Sequence, residues 1–383
     1  MTLSTDKTAS DLIYLVSCAV NQTQPDPEKC AAMDLGAIYE LSRRHMLTAA
    51  AALALEQTVE LPRAYDQSLK KNIRKLALYN IERAKITAAL EAEGIRYMLL
   101  KGAVLRKLYP LNAMREMSDN DLLCDGDRMD DVRRVMEGLG YTCALSGEWI
   151  HDVYQKPPSL DFEMHSALFE YNQTPRFADY YSDIWERTPN CGGCEYKLRD
   201  EDFYLYLLCH TYKHYRASGT GLRSLLDVYV FDRARCEAMD MDYLAAELKK
   251  LELVEFEESI RELARAVFSG QPLTDAWQTE LNYYIRSGTF GNYQQHRQLY
   301  LQNRLNGDDS KQSKRRYLIK RIFISDDDLK AHYPFIHRHK ILYPLLLIYR
   351  PVKGVFTRPR EILREYKTVR SFQKADDLGA HNQ

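Results

Sequence analysis

A chain of 383 residues with a formal net charge of −1 is long enough for several subdomains around a core that needs neither disulfides nor a structural metal. The near-neutral balance gives no global attraction to nucleic acid or to a membrane surface. No apolar run approaches the ~18 residues of a membrane span, the nearest being residues 341–349. Residues 1–11 are polar and lack the charged-then-apolar order of a secretory signal, so a cytoplasmic location is expected.

From residue 8 to about 90, apolar side chains recur at three and four, the period of helices packed on one side. Pro25 and Pro27 separate the first helix from the second. A longer helix is predicted from Tyr65 to about Gly94, where glycine suits a C-cap. The pattern then alternates: strand 97–100, helix 103–108, strand 120–124, helix 129–139, and strands near 141–145, 151–154 and 160–165. A mixed sheet with helices on one side fits this order.

Cys191-Gly-Gly-Cys194 reads as a hairpin turn rather than a redox or zinc pair, because no second ligand pair lies at metal spacing. The eight cysteines show no disulfide framework. Helix returns over 201–270, broken at Ser218-Gly-Thr-Gly221. A glycine turn at 287–291, a helix at 294–304 and a connector at 306–311 follow. The expected organisation is a helical subdomain over 1–94, an α/β core over 95–198, a helical subdomain over 199–304 and an extension over 305–383.

Asp119 and Asp121 stand one residue apart at the head of an apolar strand, so both carboxylates project to one face. Such a pair repels itself unless a cation sits between, and a hard divalent ion with oxygen ligands is the natural partner. A blander alternative is a solvated strand end bonding its own backbone. Asp161, Glu163 and His165 share a face of a later strand; Glu163 is the preferred third carboxylate, with Asp161 as the alternative and His165 as a substrate contact or structural residue. Asn120, between the aspartates, must find hydrogen bonds if buried.

Gly102 brings backbone close to a triphosphate, beside Lys101 as a point charge or a solvent-facing turn lysine. Arg115 offers a fork for a phosphate or for an acidic neighbour. His210, Lys213 and His214 fall on one helix face as a basic patch, with Asp227 a candidate partner for it. The glutamate of a zinc H-E-x-x-H motif is missing there. The basic run 314–321 reads as a solvated helix or an RNA-binding face, and Asp326 to Asp328 neutralise it locally.

Taken together, Leu100-Lys101-Gly102, Leu108-Tyr109-Pro110, Arg115, Asp119 to Leu123 and Glu163 with His165 resemble the uncharacterised nucleotidyltransferase family of the polymerase β-type superfamily. Cys209 to His214 and Leu222 to Asp227 extend the resemblance, which covers roughly residues 30–300. It implies an α+β fold, a nucleotidyltransferase-type mixed sheet flanked by N- and C-terminal helical subdomains. It further implies NMP transfer from an NTP to an unidentified acceptor, by a two-metal mechanism using Mg²⁺ or Mn²⁺. Asp119, Asp121 and Glu163 would be the catalytic metal ligands, while Lys101, Gly102, Arg115, Lys213 and His214 would hold the nucleotide. The competing expectation is a catalytically silent nucleotide- or partner-binding protein on the same scaffold. An RNA-directed transferase using Arg315 and Arg316 is a third.

Overall fold

In the computed structural model the described residues are 6–145, 150–171 and 173–289, with a few positions between 338 and 347. The expected helix at 294–304, the connector, the basic run 314–321 and the C-terminal extension lie outside them. The chain divides into a unit over Met1–Gly291, described below, and a second over Asn292–Gln383.

The chain opens with α1 (Lys7–Asn21), α2 (Pro27–Ala31), α3 (Leu35–His45), α4 (Thr48–Leu55) and α5 (Arg63–Ala92). Aspartates at the starts of the first three, Asp6, Asp26 and Asp34, accept hydrogen bonds from first-turn amides, and proline opens α2. α5 ends before Gly94, whose φ of +64° turns the chain into the sheet. Next come β1 (Tyr97–Leu99), α6 (Lys101–Leu105), β2 (Asn120–Cys124), α7 (Met129–Gly138), β3 (Thr142–Leu145), β4 (His151–Lys156) and β5 (Leu160–His165). Short helices α8 (Pro175–Tyr180) and α9 (Ile184–Arg187) precede the hairpin β6 (Asn190–Gly192) and β7 (Glu195–Tyr196). Gly193 and Cys194 make its turn, as the sequence predicts, with Gly192 and Gly193 both at positive φ, and all eight cysteines are unpaired. The remainder is α10 (Asp200–Ala217), α11 (Leu222–Arg235), α12 (Met241–Leu251), α13 (Val254–Phe268) and α14 (Asp275–Ser287). Among the described residues no helix is long and apolar enough to cross a membrane.

The sheet is mixed, in the order β3-β4-β5-β2-β1-β7-β6. β2 runs parallel to β5 and antiparallel to β1. Both faces are apolar. Leu122 and Cys124 of β2, with Phe162 and Met164 of β5, pack with Tyr79 and Ile86 of α5 and Val132 and Met136 of α7. Leu123, Met98 and Leu100 join a second core shared with side chains of α1, α4, α10, α11 and α13. Helices therefore cover both faces, not the single side expected, because a strand apolar on both faces leaves neither to water.

The N-terminal helices interlock with the C-terminal ones. At the end of α1, the Asn21 amide donates to the Phe268 carbonyl at 2.8 Å and its oxygen accepts from Tyr229 at 2.7 Å. At the end of α3, the buried His45 ring accepts from the Leu222 amide and meets the Ile285 carbonyl, each at 3.1 Å. The face of β2 and β5 that carries acidic residues looks toward this helical layer.

Candidate active site

The strand register builds the site. Parallel pairing of β2 with β5 sets Asp121 directly opposite Glu163. Alternation then turns both side chains away from Leu122 and Met164, into a cavity of about 340 Å³. Asp119, just before β2, lines the same cavity. The carbonyl of Ser118 is held by two donors from α5, Tyr79 Oη at 2.9 Å and Lys75 Nζ at 3.0 Å, which fixes the entry to Asp119. Tyr79 Oη also accepts the Asp161 amide of β5 at 3.4 Å, so one residue straps both acidic strands. Asp161 itself is bonded by Gln155 at 2.9 Å and is not part of the cavity wall.

The centre is electrostatically uneven. Lys101 Nζ donates to Asp121 Oδ1 at 2.7 Å, and His165 Nε2 lies 3.0 Å from the same oxygen and 3.5 Å from Glu163 Oε2. Burial opposes ionisation of Asp121, but Lys101 and His165 outweigh it and hold the carboxyl well below the usual range. Lys101 mirrors this: burial works against its charge, and Asp121 more than restores it. Among the described residues no cation makes an ion pair with Asp119. Burial first, then the charges of Asp121 and Glu163, push its carboxyl up. Among the described residues the cavity thus contains a carboxylate with no ion-pair partner of its own.

Lys101 reaches Asp121 by an unusual backbone turn, with φ at +36°, a conformation that costs a side-chain-bearing residue energy. The strain sits on Lys101, and Gly102 is needed for a different reason. A Cβ there would stand 2.5 Å from Arg115 Nη1 and 3.1 Å from Met117 Cε. Arg115 is buried, and its fork is committed to Asp227: Nε donates to Oδ1 at 2.8 Å and Nη2 to Oδ2 at 2.9 Å. Tyr109 adds a hydrogen bond to the same carboxylate at 2.7 Å. The sequence offers Arg115 a phosphate or an acidic side chain near Glu116; the structure instead fills the fork with the distant Asp227. Asp227 is consequently bonded here rather than to the His210–His214 patch.

α10 supplies the opposite wall, where His210, Lys213 and His214 all face the cavity. The two imidazoles meet through Nε2 atoms 3.2 Å apart, so one donates and the other accepts. Burial, then Lys101, keeps the His210 ring well below its ordinary pKa; burial, then Lys213, brings His214 to about 3. Both are neutral, which leaves Lys213 as the charge of that wall, itself lowered by burial and by Lys101. The cavity is thus lined by all eight residues that the family resemblance assigns to metal or nucleotide, and by His165 and His210, but not by Asp161.

Among the lining residues that the sequence reading does not single out are His151, Arg223 and Ser118. His151 Nε2 is 3.9 Å from Glu163 Oε2, and its ring centroid is 5.0 Å from that of His165. Burial, then His165, lowers the His151 pKa. Arg223 donates to the Glu116 carbonyl at 3.3 Å, and the Glu116 carboxylate caps the Ala49 amide at the start of α4 at 2.9 Å.

The donor set suits a divalent cation. Asp121, Glu163 and His165 each offer a ligand atom, all within 4.8 Å of one another. No match was found among curated proteins. Among solved structures, the antibiotic-resistance factor ANT(2'')-Ia is similar, at 13% identity and a TM-score of 0.24 over 52% of this chain and 93% of that one. A model of the uncharacterised nucleotidyltransferase family matches residues 31–269, across the sheet, the acidic strands and the helices from α10 to α13, and the chain belongs to that family.

Proposed function

We infer that the protein transfers a nucleoside monophosphate from an NTP to a hydroxyl or phosphate of an acceptor. The observation that carries this reading is the pairing of Asp121 with Glu163 across parallel strands, beside Asp119 in one cavity. Asp119, Asp121 and Glu163 would hold Mg²⁺ or Mn²⁺. Such ions, when bound, neutralise the charge that develops on a transferring phosphoryl group.

The protein's own residues do the rest. Lys213, across the cavity from the carboxylates, supplies positive charge to the phosphates, and the neutral His210–His214 pair offers one further donor. Lys101 holds Asp121 ionised and oriented until substrate arrives. Arg115, locked to Asp227, keeps the turn at Gly102 in place. Glu163, with no bond as short as those of Asp121, is free to orient the attacking hydroxyl.

Lys101 on Asp121 also favours a second reading, a catalytically silent nucleotide-binding protein in which a lysine replaces a cation. The two separate in one experiment: incubate the protein with each α-labelled NTP, Mg²⁺ or Mn²⁺, and a cell extract as acceptor source. Transfer of label that disappears in Asp121→Ala and in Glu163→Ala is expected. Nucleotide binding without transfer supports the silent scaffold instead.

A further inference from the structure

The geometry points to His165 as a nitrogen ligand in the metal site, beside Asp121 and Glu163, and so to a first-row transition ion in preference to Mg²⁺. This rests on the metal-binding part of the function proposed above and deepens it. Among the described residues, Asp121, Glu163 and His165 are the one group of three or more potential ligands whose donor atoms converge within 4.8 Å. Asp119 lines the cavity but does not belong to that group. The third donor nearest the Asp121–Glu163 pair is thus a ring nitrogen, not a third carboxylate.

The ring is built into place. His165 is 6% exposed, closes β5 opposite Leu123 of β2, and aims Nε2 at both carboxylates, 3.0 and 3.5 Å away. Its other nitrogen, Nδ1, is buried with no hydrogen-bond partner among the described residues. Moving the ring proton from Nε2 to Nδ1 therefore breaks no bond at Nδ1 and frees Nε2 to ligate. His151 stands behind, 3.9 Å from Glu163, as an outer neighbour. Mg²⁺ takes oxygen and keeps its waters, whereas imidazole favours first-row transition ions. Lys101 competes for Asp121, so an ion that gains from nitrogen has an advantage that an oxygen-only ion lacks.

Pulsed EPR of the full-length protein with Mn²⁺ alone tests this without nucleotide. We expect nitrogen-14 modulation from a bound imidazole, replaced by the nitrogen-15 pattern when the protein is made with nitrogen-15 histidine. The modulation should vanish in His165→Gln and persist in His151→Gln. Competition with Mg²⁺ should show the Mn²⁺ preference falling by about tenfold or more in His165→Gln. Mn²⁺ bound without nitrogen modulation, modulation surviving in a folded His165→Gln, or no Mn²⁺ binding at all would each overturn the inference. If His165→Gln fails to fold, nitrogen modulation that persists in His151→Gln, His210→Gln and His214→Gln assigns the ligand by elimination, and its loss in any of these overturns the assignment. Label transfer without nitrogen modulation would sink this assignment and leave the transferase reading standing; modulation without transfer would do the reverse.

Discussion

Arg83 of α5 donates through Nη1 to Asn120 Oδ1 at 2.9 Å, on the side of the sheet opposite the cavity. Asn120 lies between the two aspartates and is fully buried; Arg83 satisfies its oxygen, while its Nδ2 has no hydrogen-bond partner among the described residues. Replacing it by leucine would leave the Arg83 guanidinium short of an acceptor in a buried place. Asn120→Leu is expected to cost roughly 1–3 kcal/mol in urea unfolding. Arg83→Met combined with Asn120→Leu should recover part of that loss. Equal stability of the single variant and the native chain would show that the contact carries no weight.

The Arg115–Asp227 fork sets a larger stake, because both partners are buried and Tyr109 shares the carboxylate. Removing one partner strands the other. Arg115→Met is expected to destabilise by roughly 3–5 kcal/mol, and adding Asp227→Leu should return a substantial part. If Arg115 acts by positioning, nucleotide affinity in any folded single variant falls together with stability. Weakened affinity at unchanged stability would instead mark Arg115 as a direct phosphate contact.

Gly102→Ala should be poorly tolerated. The methyl group would meet Arg115 Nη1 at 2.5 Å, and Arg115 cannot swing away without leaving Asp227. A loss of about 1–3 kcal/mol is expected from thermal or urea unfolding. A variant as stable as the native chain would mean that the turn relaxes freely.

Much of the site was legible because strands alternate. The sequence predicts β2 and β5 with the bounds they have, and the same-face rule groups Asp119 with Asp121 and places Glu163 on the face it shares with Asp161 and His165. It does not separate Asp161 from Glu163, since that depends on how far along β2 the register runs. The fork from Arg115 to Asp227 spans 112 positions, and nothing local in the chain announces it. Helices on both faces escaped for a similar reason. The partners of α1 and α3 lie in α11, α13 and α14, and periodicity tells which side of a helix is buried but not against what. His151 was missed because a single histidine on a strand carries no spacing.

Acid sensitivity should trace in part to His45. Burial, then the charge of Arg44, lowers its pKa to about 4, against an ordinary value of 6.5. The unfolded chain therefore binds a proton more readily, and stability present above pH ~6.5 declines as the pH falls toward 4. By pH 5 this residue alone should have removed about 2 kcal/mol. His45→Gln should be less stable at pH 7 but flatter between pH 7 and 5 in urea unfolding. An unchanged slope would rule His45 out as the source.

Whether Asp121 and Glu163 work as one unit on one nucleotide is tested most directly by a double-mutant cycle on the rate of labelled NMP transfer. Groups that act together lose their effect together. Asp121→Asn, Glu163→Gln and the double variant should all fall to a similar residual rate. Losses that multiply in the double variant, or transfer that survives either single change, would contradict the account.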